Sequence, residues 1–512
     1  MKSKILVAAV IAAAIMELID TSIVNVALSH MSGNLGATLE DTSWVITAYA
    51  IANVIIIPIT SFLAARLGQR NYYIGSILAF TFFSFMCGQA TSIWTLVLFR
   101  FLQGIGGGAL LSVSQVIVFR QFPKEKQNVA SAIFGIGVFV GPTIGPTLGG
   151  YITEFYSWPW IFYINVPIGI LVAFVCYLLL DEPPRQASQT RIDWTGIILL
   201  AVGVSALQTV LERGETDDWF EAAYIVWLTV IAVFGIAVFI WWELRITAPV
   251  VNLRVLKSRN LSVGAALTFI SGTGMFASVF LTPVFAQRLL NFTPLQTGAL
   301  LLPGAFLAIG GLVISARLLQ RGLSPLYLIF AGMGMFIFFS WEMSQLNQNA
   351  SASAISNSLI WRAVGMALMT VPLTTLAVSS LPPADIPQGA ALNNMMRQLG
   401  GSFGIALINT YLSKRNAQHR YDLVSHLDPS DPLVYDRLHG YTQFFQSKGA
   451  SASYAHQQAV QLLDHSVTRQ GMLLSFSDAF LVMGLVFLVS LPLLLVASNR
   501  KKGTVPAVVM DH

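Results

Sequence analysis

The sequence predicts an all-α membrane protein of fourteen transmembrane helices, and three observations predict it. Hydrophobic residues make up 55% of the 512 and charged residues only 10%, with a mean hydropathy of +0.68. A soluble chain would carry about 25% charge. Apolar runs of about 18 residues or more, the length at which a helix crosses a bilayer core, recur from end to end. The basic residues gather in every second connection between those runs. A β-barrel would instead show alternating segments of about ten residues.

The spans read, in order, as 5–28, 43–64, 72–90, 93–118, 129–152, 160–181, 194–212, 221–243, 260–283, 296–316, 326–343, 358–380, 389–412 and 476–498. The first follows Lys2 and Lys4 and resembles a secretory signal, but acids interrupt its apolar core and similar runs follow it along the whole chain. Spans 1–6 form a six-helix bundle over 1–181. Spans 7 and 8 form an insertion over 182–259. Spans 9–14 form a second six-helix bundle over 260–498, and 499–512 is a tail.

Direction follows from the basic residues. With the N-terminus cytoplasmic, the inner segments hold 18 Lys and Arg, including Arg66, Arg70, Arg120, Lys124, Arg185, Arg191, Arg500, Lys501 and Lys502. The short outer loops hold two, Arg213 and Arg288. Both termini are therefore expected inside. The same asymmetry explains a sequence pI of 9.1 without nucleic acid. Cys87 and Cys176 lie inside apolar runs, so no disulfide framework is implied.

The chain repeats itself. AARLGQR at 64–70 follows span 2 and SARLLQR at 315–321 follows span 10, with five of seven positions identical. Arg100 in span 4 and Arg362 in span 12 sit similarly near the outer face. Spans 1–6 thus correspond to spans 9–14. Repeated halves suit a transporter, because a site between two similar bundles opens to either side when they rock.

Span 1 raises the question of function. MELIDTSIVNVAL, residues 16–28, places Glu17 and Asp20 in an otherwise apolar run. An acid at membrane depth costs about 2.5–3.5 kcal/mol even on lenient scales, so it is a functional candidate. The two are three residues apart and look into the bundle. At 1.5 Å per residue, Asp20 and Arg100 both lie about 10–12 Å below the outer surface, where they are placed to pair. Asp20 is then either a proton-coupling site or a structural tie between spans 1 and 4. Glu17 is a second proton site, a charge that attracts cations, or a solvated acid in the cavity. Further polar groups at depth, and candidates for lining a cavity, are Asn25, Gln103, Gln115, Arg362, Asn393, Asn394 and Arg397. Glu212 and Glu342 lie near span ends and read as wet.

Span 5 contains GVFVGPTIGPTLGG, residues 137–150. Gly137, Gly141, Gly145 and Gly149 form one helix stripe that lets a neighbour approach closely. Pro142 and Pro146 remove backbone bonds beside it and favour a bend. The reading is a hinge or seal, or else ordinary packing, with span 10 the expected partner.

Residues 413–475 form an outer segment of about 63 residues with no spanning run. It contains helical-looking stretches and five of the seven histidines, whose spacing matches no metal motif. It is expected to fold over the outer mouth.

These motifs resemble the major facilitator superfamily. The Gly-Pro stripe is similar to its antiporter motif, and LIDTSIVNVAL at 18–28 to the first-span motif of its fourteen-span drug:proton antiporter branch. LFRFLQGIGGG at 98–108 is similar to the span-4 motif with its buried arginine. WPWIFYINVPIG at 158–169 and MRQLGGSFGIA at 396–406 also resemble that branch. The long outer loop resembles the EmrB type, the inner-membrane pumps of tripartite efflux systems.

The resemblance implies a proton-driven exporter of small amphipathic drugs, without a cofactor, in the cell inner membrane. It also implies a periplasmic EmrA-like adaptor docked on the outer segment, leading to an outer-membrane channel. Arg66, Gly68 and Arg70 match the loop 2–3 gating motif, but Ser61 and Ala65 replace its first glycine and its acid, and Pro159 stands where an arginine is usual. The alternative is an exporter of a specific metabolite, siderophore or lipid on the same scaffold. No catalytic cluster points to an enzyme, and no Gly-x-x-x-x-Gly-Lys-Ser/Thr loop points to an ATP-driven pump.

Overall fold

The computed structural model describes residues 2–123, 126–181, 193–247, 249–382, 385–428 and 430–496. Lys124, Arg185, Arg191, Arg500, Lys501, Lys502 and the 499–512 tail lie outside the described residues. Among the described residues all regular structure is helical. The helices are α1 (Lys2–Leu35), α2 (Leu39–Leu67), α3 (Gln69–Gly88), α4 (Ile93–Arg120), α5 (Gln127–Phe155), α6 (Trp160–Tyr163), α7 (Asn165–Leu179), α8 (Trp194–Arg213) and α9 (Ala223–Arg245). They continue as α10 (Arg259–Leu290), α11 (Pro294–Gln320), α12 (Pro325–Ser344), α13 (Ala352–Ser379), α14 (Ile386–Ser425), α15 (Pro432–Ser447), α16 (Ala452–Ser490) and α17 (Leu493–Val496).

Every predicted span falls on helix, with span 6 formed by α6 and α7 and span 14 by α16 and α17. Among the described residues, twelve helices are long and apolar enough to cross a membrane. The two that fall outside the twelve are α3, which opens with Gln69, Arg70 and Asn71, and α14, which carries Asn393, Asn394, Arg397 and Gln398 and runs on as a polar helix. Their polar content is the physical reason the count of fourteen is not reached on apolarity alone.

Local chemistry sets many helix ends. Ser92 and Thr95 form a reciprocal capping box at α4, as do Thr293 and Gln296 at α11. Each satisfies two N-terminal backbone N–H groups that the helix itself cannot. The sharp turn from α2 into α3 needs a positive φ, which Gly68 supplies at +88°. Gly322 does the same between α11 and α12, also at +88°.

The repeat is visible in the packing. In the first half, α1 packs on α5, α4 and α7, while α4 packs on α2 and α3. In the second half, α10 packs on α14, α13 and α16, while α13 packs on α11 and α12. These are the same pairs once each span is shifted by eight. The halves meet through α5 on α11 and, symmetrically, through α14 on α2. The pair α8 and α9 packs together at Gly203 and Gly235, whose backbones nearly touch. Helix α8 then lies against both α2 and α14, covering that side of the seam. On α9 only Ile225, Ala232, Phe239 and Glu243 are buried, a single stripe toward α8. The rest of that helix exposes large apolar side chains such as Trp227 and Phe234, as a lipid-facing helix should.

The 413–475 segment departs from the expectation that it folds over the outer mouth. Helix α14 is a single helix of 40 residues, about 60 Å long, roughly twice the bilayer core. Helix α16 likewise runs unbroken from the segment into its span. The segment therefore projects as a continuation of α14 and α16, with α15 packed on α16. The physical reason is that the polar sequence beyond the span keeps favouring helix and meets no breaker before Ser425. Ion pairs Arg420–Asp464 (2.8 Å) and Arg415–Asp478 (2.6 Å) brace it. Four of its histidines are exposed, and His419 lies 2.8 Å from Asp478. No cluster able to hold a metal is found among the described residues.

Candidate functional site

The site is built around the first helix. The structure brings Asp20 and Arg100 together, Nη1 to Oδ2 at 2.5 Å, both essentially inaccessible. The other Asp20 oxygen accepts from Gln103 Nε2 at 3.1 Å and from Asn165 Nδ2 at 2.9 Å. Three donors from α4 and α7 thus converge on one carboxylate of α1. Arg100 in turn donates to Gln103 Oε1 (2.8 Å) and to the Val45 carbonyl (3.3 Å), and lies 4.2 Å from the Tyr49 ring centre. A buried ion pair is tolerable only when its remaining hydrogen-bonding capacity is met, as here.

Glu17 turns elsewhere. It is buried against α2, where Oε1 accepts from Asn53 Nδ2 at 2.9 Å and from the Tyr49 hydroxyl at 3.3 Å. Its second oxygen, Oε2, has no partner among the described residues. The two acids share the inward side of α1 but serve different neighbours.

Among the described residues the second half shows no equivalent pair. Arg362 is buried on α13 with a 3.4 Å contact to Ser278 and the Phe339 ring 6.0 Å away. It makes no ion pair among the described residues, and α10, the counterpart of α1, contains no acid. Among the described residues, the buried ion pair between α1 and α4 thus has no counterpart between α10 and α13.

The glycine stripe does not face the expected partner. A Cβ added at Gly141 would lie 2.5 Å from the Leu18 Cβ, and one at Gly145 or Gly149 would run into Ser22 or Ile23. Gly137 faces Ile11 and Ile15. All four glycines pack on α1, in their own half. Helix α5 does meet α11, but on another face. There Thr147 sits so close to Gly298 that a Cβ on the glycine would be 3.0 Å from the threonine Cα. Glycine gives close approach to whichever helix lies over the stripe, and sequence alone does not say which. Pro142 and Pro146 lie inside α5, which remains one continuous helix.

At the seam, Asn394 of α14 donates to Gln115 Oε1 of α4 at 2.9 Å. The neighbouring Asn393 and Arg397 are not drawn into that bond. Asn25 is exposed on α1. In loop 2–3, Arg66 is exposed, Gly68 makes the turn, and Arg70 donates to the Tyr177 carbonyl at 2.5 Å, tying α3 to α7. The sequence reading missed Tyr49, Asn53 and Asn165 as partners of the two acids. Asn165 stood in plain view inside WPWIFYINVPIG as a polar residue at depth. It also missed Glu243, which is fully buried near the end of α9.

Two structurally repeated helical bundles, joined at paired seams and enclosing a sealed ion pair at membrane depth, define a multi-pass membrane transporter rather than an enzyme. The chain belongs to the Major Facilitator Superfamily, whose profile matches residues 10–405. It is 32% identical over 484 residues to the multidrug export protein EmrB of Escherichia coli (strain K12), covering 94% of this chain and 92% of that one. It is 31% identical to the fatty acid resistance protein FarB of Neisseria gonorrhoeae, covering 95% and 94%. Its fold is similar to that of the human organic anion transporter MFSD10 (TETRAN), with a TM-score of 0.60 at 13% identity over 96% and 99% of the two chains.

Proposed function

We propose that the protein is a proton-coupled antiporter that exports small amphipathic drugs and toxic compounds across the cell inner membrane. It works without a cofactor, with both termini cytoplasmic, as the pump of a tripartite system with an EmrA-like periplasmic adaptor and an outer-membrane channel. Similarity along nearly the whole chain to a multidrug export protein supports the substrate class. The observation that carries proton coupling is the Asp20 site, whose three donors all come from helices other than its own.

A mechanical link supports the reading. Thr147 of α5 touches α11 across the seam, while the opposite stripe of α5 grips α1 from Ile11 to Ile23. Rocking of the halves pulls on α5, and α5 moves α1 against α4 and α7. Asp20 then loses donors and gains water, takes a proton from the outer side, and releases it inward when Arg100 returns. Pro142 and Pro146 make α5 the bendable member of this chain.

Cells lacking their own pumps and expressing this protein should extrude a panel of amphipathic dyes, and a protonophore should stop it. Extrusion indifferent to the protonophore would remove proton coupling. Replacing residues 420–468 with a short flexible linker should spare transport in proteoliposomes while abolishing adaptor co-purification and whole-cell resistance. Adaptor binding that persists without the segment would place docking elsewhere.

A further inference from the structure

We propose that Asn393 and Arg397 of α14 form an anion-binding subsite that receives the carboxylate, or an equivalent acidic group, of an amphipathic substrate. This rests on the export reading above and names the substrate chemistry it favours.

The two residues are one helical turn apart on the same side of α14. Arg397 lies eleven residues from Ile386, about 16 Å along the helix and so near mid-depth. Asn393 is 1% exposed, and neither its Nδ2 nor its Oδ1 finds a partner among the described residues. Arg397 makes no ion pair there, and its Nη1 is covered yet unbonded. Buried polar groups are nearly always paired, so three unpaired atoms within one turn indicate a missing ligand.

Where these groups face narrows the ligand. Arg397 as a whole is only half-buried. An arginine at this depth does not expose itself to lipid, so in this proposal its open part is set against the path of the substrate. Acids are scarce in its own half of the chain. From Arg259 to Leu412 the only acids are Glu342, near the end of α12, and Asp385, just before α14. Gln115 Nε2 and Asn394 Oδ1, at the seam bond beside the pair, are also unpaired and buried. A guanidinium with amide donors is a pairing suited to a carboxylate, which accepts two parallel hydrogen bonds. A cationic substrate would meet the charge of Arg397, which has no ion-pair partner among the described residues.

The test is equilibrium binding to the purified full-length protein in detergent at neutral pH, using 2-naphthoate and its neutral isostere 2-naphthamide. Wild type should bind naphthoate at least about tenfold more tightly, in line with a charge-assisted pair. Arg397→Gln should erase that preference without changing naphthamide affinity, Arg397→Lys should keep part of it, and Asn393→Ala should reduce it. Should Arg397→Gln fail to fold, the preference must still fall in the other two variants. Equal binding of the two probes, no naphthoate binding, or a preference that survives these substitutions overturns the subsite and leaves Arg397 merely hydrated. Binding in detergent needs no proton gradient. Loss of pH-driven export with the preference intact would therefore strike at the export reading, and the reverse at the subsite.

Discussion

Asp20→Asn should abolish uphill dye extrusion while leaving the protein folded and inserted. Asparagine keeps the shape and can still accept from Gln103 or Asn165, but it cannot titrate. Arg100 then loses its counter-charge in a buried place, which costs stability without abolishing the fold, because Gln103, the Val45 carbonyl and the Tyr49 ring still hold it. Arg100→Ala should be harsher. It orphans a buried carboxylate and should cost about 3–5 kcal/mol, visible as a lowered unfolding midpoint as well as lost extrusion. Wild-type accumulation by Asp20→Asn would show that the proton is carried elsewhere, with Glu17 the next candidate.

Gly141→Leu should block transport by parting α5 from α1. A Cβ at 141 already lies 2.5 Å from the Leu18 Cβ, and the atoms behind it belong to the α1 backbone. Overpacking of this kind costs about 1–3 kcal/mol or more. The identity of the partner can be tested by compensation. Gly141→Ala should be impaired, and Leu18→Gly in that background should restore both the unfolding midpoint and dye extrusion. Leu312→Ala on α11 should not. Rescue from α11 and not from α1 would return the stripe to the seam between halves.

Much of the fold was legible because its signals are periodic and one-dimensional. Span positions follow from apolar run length, and the repeat from AARLGQR and SARLLQR. The Asp20–Arg100 pairing followed from depth, since two helices running side by side place residues at equal depth within reach. What failed was rotational. The glycine stripe was recognised but given to α11, because a stripe specifies closeness and not the neighbour. Asn165 and Asn53 were passed over because a single amide in an apolar run gives no sign of which helix face it occupies. The outer segment was expected to fold over the outer mouth, because the sequence shows helical stretches but not that they run on unbroken from α14 and into α16.

The central claim is that protons cross in exchange for substrate through Asp20. Proteoliposomes holding the purified protein and an internal pH indicator, with no pH gradient at the start, test it most directly. An imposed gradient of a transported dye should drive a pH change of opposite sense to dye movement in wild type. The same gradient should drive none with Asp20→Asn, although dye-for-dye exchange persists. A pH change that survives Asp20→Asn, or dye movement in wild type with no pH change at all, would contradict it.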